Sequence, residues 1–129
     1  MAKNLFLLSK YFDKTEYEQM SLTMLNNVLN DVQKNPVYYS NWAIVLDMHL
    51  HLDKELVIIG KDALEKLKTI NALYLPNVLI TGATKASDLP LLKDRFVDGK
   101  TLLYVCENKS CSLPIEDENE IKGYSIGRH

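Results

Sequence analysis

At Glu55 the apolar pattern of this chain changes period, and that switch constrains the fold more than any other feature. Before it, hydrophobic residues recur at helical spacing; after it, they come in short continuous runs closed by glycine or proline. The 129 residues, 47% of them hydrophobic, suffice for one core and are too few to expect two. The expectation is an α/β fold in one compact domain: a helical segment over 1–52, then a small α/β unit over 53–129.

From Lys3 to Phe12 the apolar residues Leu5, Phe6, Leu7, Leu8, Tyr11 and Phe12 cover most of a helix circumference, so that helix needs neighbours on several sides. Asp13 or Thr15 can cap a second helix running to Lys34, with Tyr17, Met24, Leu25, Val28, Leu29 and Val32 on one face. Pro36 ends it. Ser40 can cap a third helix to about Leu50, where Trp42, Ala43, Ile44, Val45, Leu46 and Met48 leave almost no polar face, so burial is expected. Helices this apolar would be underburied if they stood alone, so the chain is expected to be one end of a larger protein.

Leu56 to Ile59, ended by Gly60, has the β-branched continuity of a strand covered on both faces. Asp62 to Tyr74 reads as an amphipathic helix with Ala63, Leu67, Ile70 and Tyr74 inward, closed by Pro76. Val78 to Thr81 is the second strand, and strand-helix-strand spacing predicts a parallel pair with a right-handed crossover. Residues 83–100 carry no convincing period, although Asp88 to Lys93 could make one helical turn. Thr101 to Cys106 is the third strand, and Ile115 to Lys122 a short acidic helix. The sheet is thus expected to be three-stranded and mostly parallel, with flanking helices.

Several function classes are excluded early. Fifteen basic against seventeen acidic residues, with no basic stripe interleaved with aromatics, leave no nucleic-acid groove. Leu5 to Leu8, the one N-terminal hydrophobic run, is too short for a signal-peptide core or a membrane span. The chain therefore reads as cytoplasmic, where cysteines normally remain thiols.

Both cysteines, Cys106 and Cys111, lie in the stretch Tyr104 to Pro114, just beyond an apolar strand. Cys106 would sit at the carboxyl end of a parallel strand, where open α/β sheets present ligands, and Cys111 ahead of a helix whose dipole could lower a thiol pKa. Against a dithiol oxidoreductase, four residues separate them instead of two, and Glu107 disfavours a thiolate. Packed structural thiols are favoured over a loop-closing disulfide or redox pair, and both over a metal site.

Zinc would need four ligands, and His49 and His51, about 200° apart on a helix, cannot chelate together. The turns at Gly60-Lys61-Asp62 and Gly82-Ala83-Thr84-Lys85 resemble phosphate cradles but lack the glycines of a dinucleotide or P-loop fingerprint. Asp47, Asp53 and Glu55 could pair as acid and base, and Asp47 is spaced to meet His51, yet no companion nucleophile or oxyanion donor accompanies them. No cofactor, metal or catalytic residue is assigned.

The series Asn4-Leu5, Glu55 to Gly60, Leu75-Pro76-Asn77 and Tyr104-Val105-Cys106-Glu107, with Cys111 and Pro114, resembles the C-terminal region of YyaL-type proteins, the family of spermatogenesis-associated protein 20. That resemblance implies an upstream thioredoxin-like domain and an (α/α)6 toroid similar to N-acylglucosamine 2-epimerases and six-hairpin glycosidases. It implies that the helices here end the toroid and support a carbohydrate-type pocket. Cys106, Cys111 and Pro114 carry over as a motif of unknown role. The expected function is a non-catalytic structural domain whose partner is the rest of the parent chain, with a homodimer through exposed helical faces as a further possibility. The alternative is an independent thiol-redox or small-ligand module using Cys106 and Cys111.

Overall fold

Helical periodicity in the first part of the chain yields α1 (Ala2–Phe12), α2 (Thr15–Lys34) and α3 (Ser40–His51). A computed structural model describes residues 1–123 of the chain. The chain divides into two units, Met1–Leu52 and the residues from Asp53 onward.

The helix junctions differ from the expected caps. Asp13 adopts a left-handed conformation (φ 52°) and closes α1 instead of opening α2, with the Lys14 N–H donating to the Ser9 carbonyl at 3.0 Å. Lys14 and Tyr39 precede α2 and α3, and neither supplies a side-chain cap. Glu16 and Glu18 in the first turn of α2 complement the helix dipole, and Glu18 also pairs with Lys10 at 3.1 Å.

Ala2, Leu25 and Val45 form the centre of the helical unit, with Leu22, Met24, Trp42 and Leu46 against them. The expected burial of α3 does not occur. Val45 is its one buried residue, while Ile44 and Leu50 remain 48% and 65% exposed. A helix apolar all round needs partners all round, and within its unit α3 has only α1 and α2.

The second unit is built on β1 (Lys54–Ile59), α4 (Ala63–Asn71), β2 (Val78–Ala83), β3 (Leu102–Glu107) and β4 (Ser110–Cys111), with a 3-10 helix over Glu118–Gly123. Central β1 is covered on both faces, as its continuous apolar run requires. Leu56 and Ile58 pack with Ala63 and Ile70 of α4 and with Leu103, Ile115 and Ile121. Val57 and Ile59 pack on the other face with Leu92, Cys106 and the half-buried Leu91 and Phe96. Lys66 ties α4 to the 3-10 segment, donating to the Glu116 carbonyl at 2.7 Å and pairing with Glu118.

The sheet is four-stranded and mixed, in the order β2-β1-β3-β4, not three-stranded and mostly parallel. β1 and β2 are parallel, but β3 runs antiparallel to β1 and β4 antiparallel to β3. The reason lies in residues 84–101, which form turns with no helix to return the chain along the sheet. The chain re-enters where β2 ended, with Leu102 opposite Ile59.

Two helices are shorter than the sequence suggests. α4 stops at Asn71, which leaves Tyr74 89% exposed instead of on the apolar face. Ile115, expected in a helix, is bridged to Leu103, with N–H to carbonyl bonds of 2.8 and 2.9 Å. Among the described residues, no helix is long and apolar enough to cross a membrane.

Candidate functional site

Glu107 and Ser110 pair across a two-residue turn, Asn108-Lys109, whose residues are both left-handed (φ 50° and 66°). Asparagine tolerates that conformation, and two left-handed residues match the twist of the flanking strands. The register then puts Cys106 opposite Cys111. The next pair outward is hydrogen-bonded, the Ser112 N–H donating to the Val105 carbonyl at 2.8 Å. Cysteines in the intervening, closer pair face each other directly. Their Cα atoms stand 3.9 Å apart and their sulfurs are joined in a disulfide.

This corrects three expectations. The cysteines are not packed free thiols, because cross-strand register brings them into bonding reach. Cys106 is not at the carboxyl end of a parallel strand: β3 is reversed, so Cys106 pairs with Glu55 near the start of β1. Cys111 lies in β4 and not at the head of a helix, so no helix dipole acts on it. Pro114 is exposed, outside the paired strands.

The two sulfur-bearing residues have unequal surroundings. Cys106 is 1% exposed, whereas Cys111 is only partly buried at the sheet edge. Arg95 donates from Nη1 to Cys106 Sγ at 3.0 Å. Its guanidinium lies 5.3 Å from the centre of the Tyr104 ring, and the Tyr104 hydroxyl donates back to the Arg95 carbonyl at 3.4 Å. Tyr104 shares the Cys106 face because it is two residues away on the same strand. Arg95 escaped the sequence reading because it sits in the segment without a period.

The other candidates resolve into structural roles. In the turn after β1, the Asp62 N–H donates to Thr101 Oγ1 at 2.9 Å and the Ala63 N–H to the Gly60 carbonyl at 3.1 Å, so a phosphate would compete for occupied donors. Gly82 lies within β2, not in a turn, and a Cβ there would stand 2.5 Å from the Ile58 carbonyl oxygen. An apolar cleft of about 450 Å³ opens at the carboxyl ends of β1 and β2, lined by Ile58, Ala63, Leu64, Leu67 and Ile80. Thr81, Thr84 and Lys85 add its polar rim.

Asp47 and His51 do meet, at 2.7 Å, on an exposed helix face. His49 goes elsewhere. Its Nε2 lies 3.0 Å from Ser21 Oγ and its ring centre 4.4 Å from that of Phe6. Burial holds the His49 pKa below the usual imidazole value, with opposing influences from Glu18 upward and Lys10 downward. Ser21 is fully buried, so no substrate reaches its oxygen and the pair serves packing. The sequence carried no signal for it, since the partners are 28 residues apart. Among the described residues, no group of three His, Cys, Asp or Glu side chains could hold a metal ion.

Spermatogenesis-associated protein 20 from mouse, from human and from rat each match the chain at 27% identity over 132 residues. Each alignment covers 94% of this chain and 17% of the relative, so the chain spans about a sixth of the curated proteins it resembles. No protein-family profile matches it, and no solved structure does.

Proposed function

We propose that this chain is a non-catalytic structural segment of a larger protein similar to spermatogenesis-associated protein 20. One observation carries the reading: the helical unit leaves apolar side chains uncovered around a groove. That groove, of about 350 Å³, is lined by Met1, Ala2, Met24, Trp42, Ile44 and Val45, with Lys3 and Asn41 as its polar members. Met1 and Ile44 are 83% and 48% exposed, and Trp42 is only half-buried. An apolar groove between helices asks for another helix. The alignment supports this, because nearly the whole chain corresponds to a small part of a longer protein.

In this reading the missing neighbours are further helices of an α/α toroid, and the helical unit closes that toroid and supports the wall of a carbohydrate-type pocket. A thioredoxin-like domain belongs to the same parent, which is cytoplasmic. The α/β unit adds no turnover of its own.

The test has two arms. An antibody against the chain should detect, in source cells, a polypeptide several times longer than 129 residues. The isolated chain should bind a hydrophobic dye and sediment with concentration-dependent mass. A native polypeptide of this length forming a discrete dimer would favour the homodimer instead. A dye-silent strict monomer refutes the uncovered groove.

A further inference from the structure

The disulfide is asymmetric in ways that bear on how it opens. Cys106 is buried and receives a hydrogen bond from a permanent cation, while Cys111 sits partly exposed on edge strand β4. A shallow groove of about 600 Å³, lined by Val105, Glu107, Asn108, Ser110, Cys111 and Ser112, leads to it. Glu107, the charge that would oppose a thiolate, alternates to the other face of β3 from Cys106, the face Arg95 does not occupy.

We propose that Cys106–Cys111 is a thiol-exchange site with a fixed direction: an external thiolate attacks Cys111, and Cys106 leaves. The attacking sulfur bonds to Cys111 Sγ as the Cys106–Cys111 bond breaks. The electron pair departs on Cys106 Sγ, where Arg95 stabilises it as a thiolate. A second thiol of the same class then attacks the mixed disulfide at the external sulfur and releases Cys111. Two electrons and two protons pass from two thiols to the protein, and the thiols become a disulfide. Direction follows from access to the attacked sulfur, which only Cys111 offers at the sheet edge, and from the Arg95 guanidinium that receives the charge on the leaving sulfur.

The experiment uses the oxidised 129-residue chain with reduced glutathione as the probe. Reactions are quenched at short times with an alkylating agent, and the cysteine peptides are identified by mass spectrometry. Glutathione should be found on Cys111 and the alkyl group on Cys106, with the reverse pattern at least about tenfold rarer. Arg95→Gln should slow opening about threefold or more, and Arg95→Lys should restore part of the rate. Equal labelling of both cysteines, or glutathione chiefly on Cys106, overturns the proposal without any variant having to fold. So does a disulfide that millimolar glutathione opens only after urea unfolds the chain. A folded Arg95→Gln protein that opens at the wild-type rate removes Arg95 from the mechanism and sinks the assigned direction.

Discussion

Replacing Ile44 by glutamine separates what the helical unit needs for itself from what it offers a neighbour. Ile44 is 48% exposed, so roughly half of the about 2.5 kcal/mol gained by burying a whole isoleucine is already realised inside the chain. Ile44→Gln should therefore cost about 1 kcal/mol of folding stability, eased by the better helix propensity of glutamine. The other half, another 1 kcal/mol or so, is available to whatever covers the groove. Covering glutamine also strands a polar amide, at about 1–3 kcal/mol. Association should weaken by about 3 kcal/mol, on the order of a hundredfold in Kd. Sedimentation over a concentration series reads the association, and urea unfolding reads the stability. The control is Leu113→Gln, since Leu113 is 85% exposed but lies in the other unit. If association survives Ile44→Gln unchanged, or falls equally with Leu113→Gln, the groove is not the contact surface.

Three further outcomes are expected. Reducing the disulfide should lower the stability of the α/β unit by about 2 kcal/mol, the loop entropy of a bridge between residues only five apart, read as a shift in urea midpoint; an unmoved midpoint contradicts this. Burial lowers the His49 pKa from 6.5, so stability should be full above pH 6.5 and fall as acid protonates the unfolded histidine first. Urea midpoints that rise on acidification through the histidine range, or a slope in that range that His49→Gln leaves unchanged, would contradict this assignment, the lowered Glu116 and Glu118 acting only at more acidic pH. Gly60→Ala should destabilise by about 3 kcal/mol or more, because the backbone is at φ 135° and the new Cβ collides with the Lys100 carbonyl oxygen and meets Thr101 Cα at 2.5 Å. Gly99→Ala, at φ 76° with open space around it, should cost only about 1 kcal/mol; equal effects in calorimetry would refute the steric argument.

The legible parts of this sequence were those written in local periodicity. The three N-terminal helices and β1 follow from apolar spacing over stretches long enough for the pattern to repeat. The parallel pairing of β1 and β2 was legible from strand-helix-strand spacing, but the direction of β3 was not, because it depends on where residues 84–101 return the chain, and their apolar anchor Leu92 has no periodic neighbours. Strand β4 is two residues long, and its Asn108-Lys109 turn lacks the glycine that normally signals such a hairpin. Without that hairpin the cysteine pair could not be read as cross-strand. Arg95 was invisible for the same reason as Leu92, since its role exists only once the loop lies over β3. Asp13 shows a subtler failure: an aspartate between two helices can close the first or open the second, and sequence alone does not rank the two.

Counting faces against covers explains why the two units invite different roles. In the sheet, each face of β1 has its own layer supplied from within the unit, α4 on one side and the Leu91, Leu92 and Phe96 segment on the other. Its apolar residues from Leu56 to Ile59 are at most 1% exposed, so little driving force remains there for recruiting a partner. The helical unit has as rich a supply of apolar side chains but only three elements to arrange them on, and three helices cannot enclose the all-round apolar surface of α3. Association should therefore run through the helices and leave the sheet unchanged. Chemistry should sit instead at the sheet edge, where the disulfide between the two cysteines joins a buried residue to a reachable one.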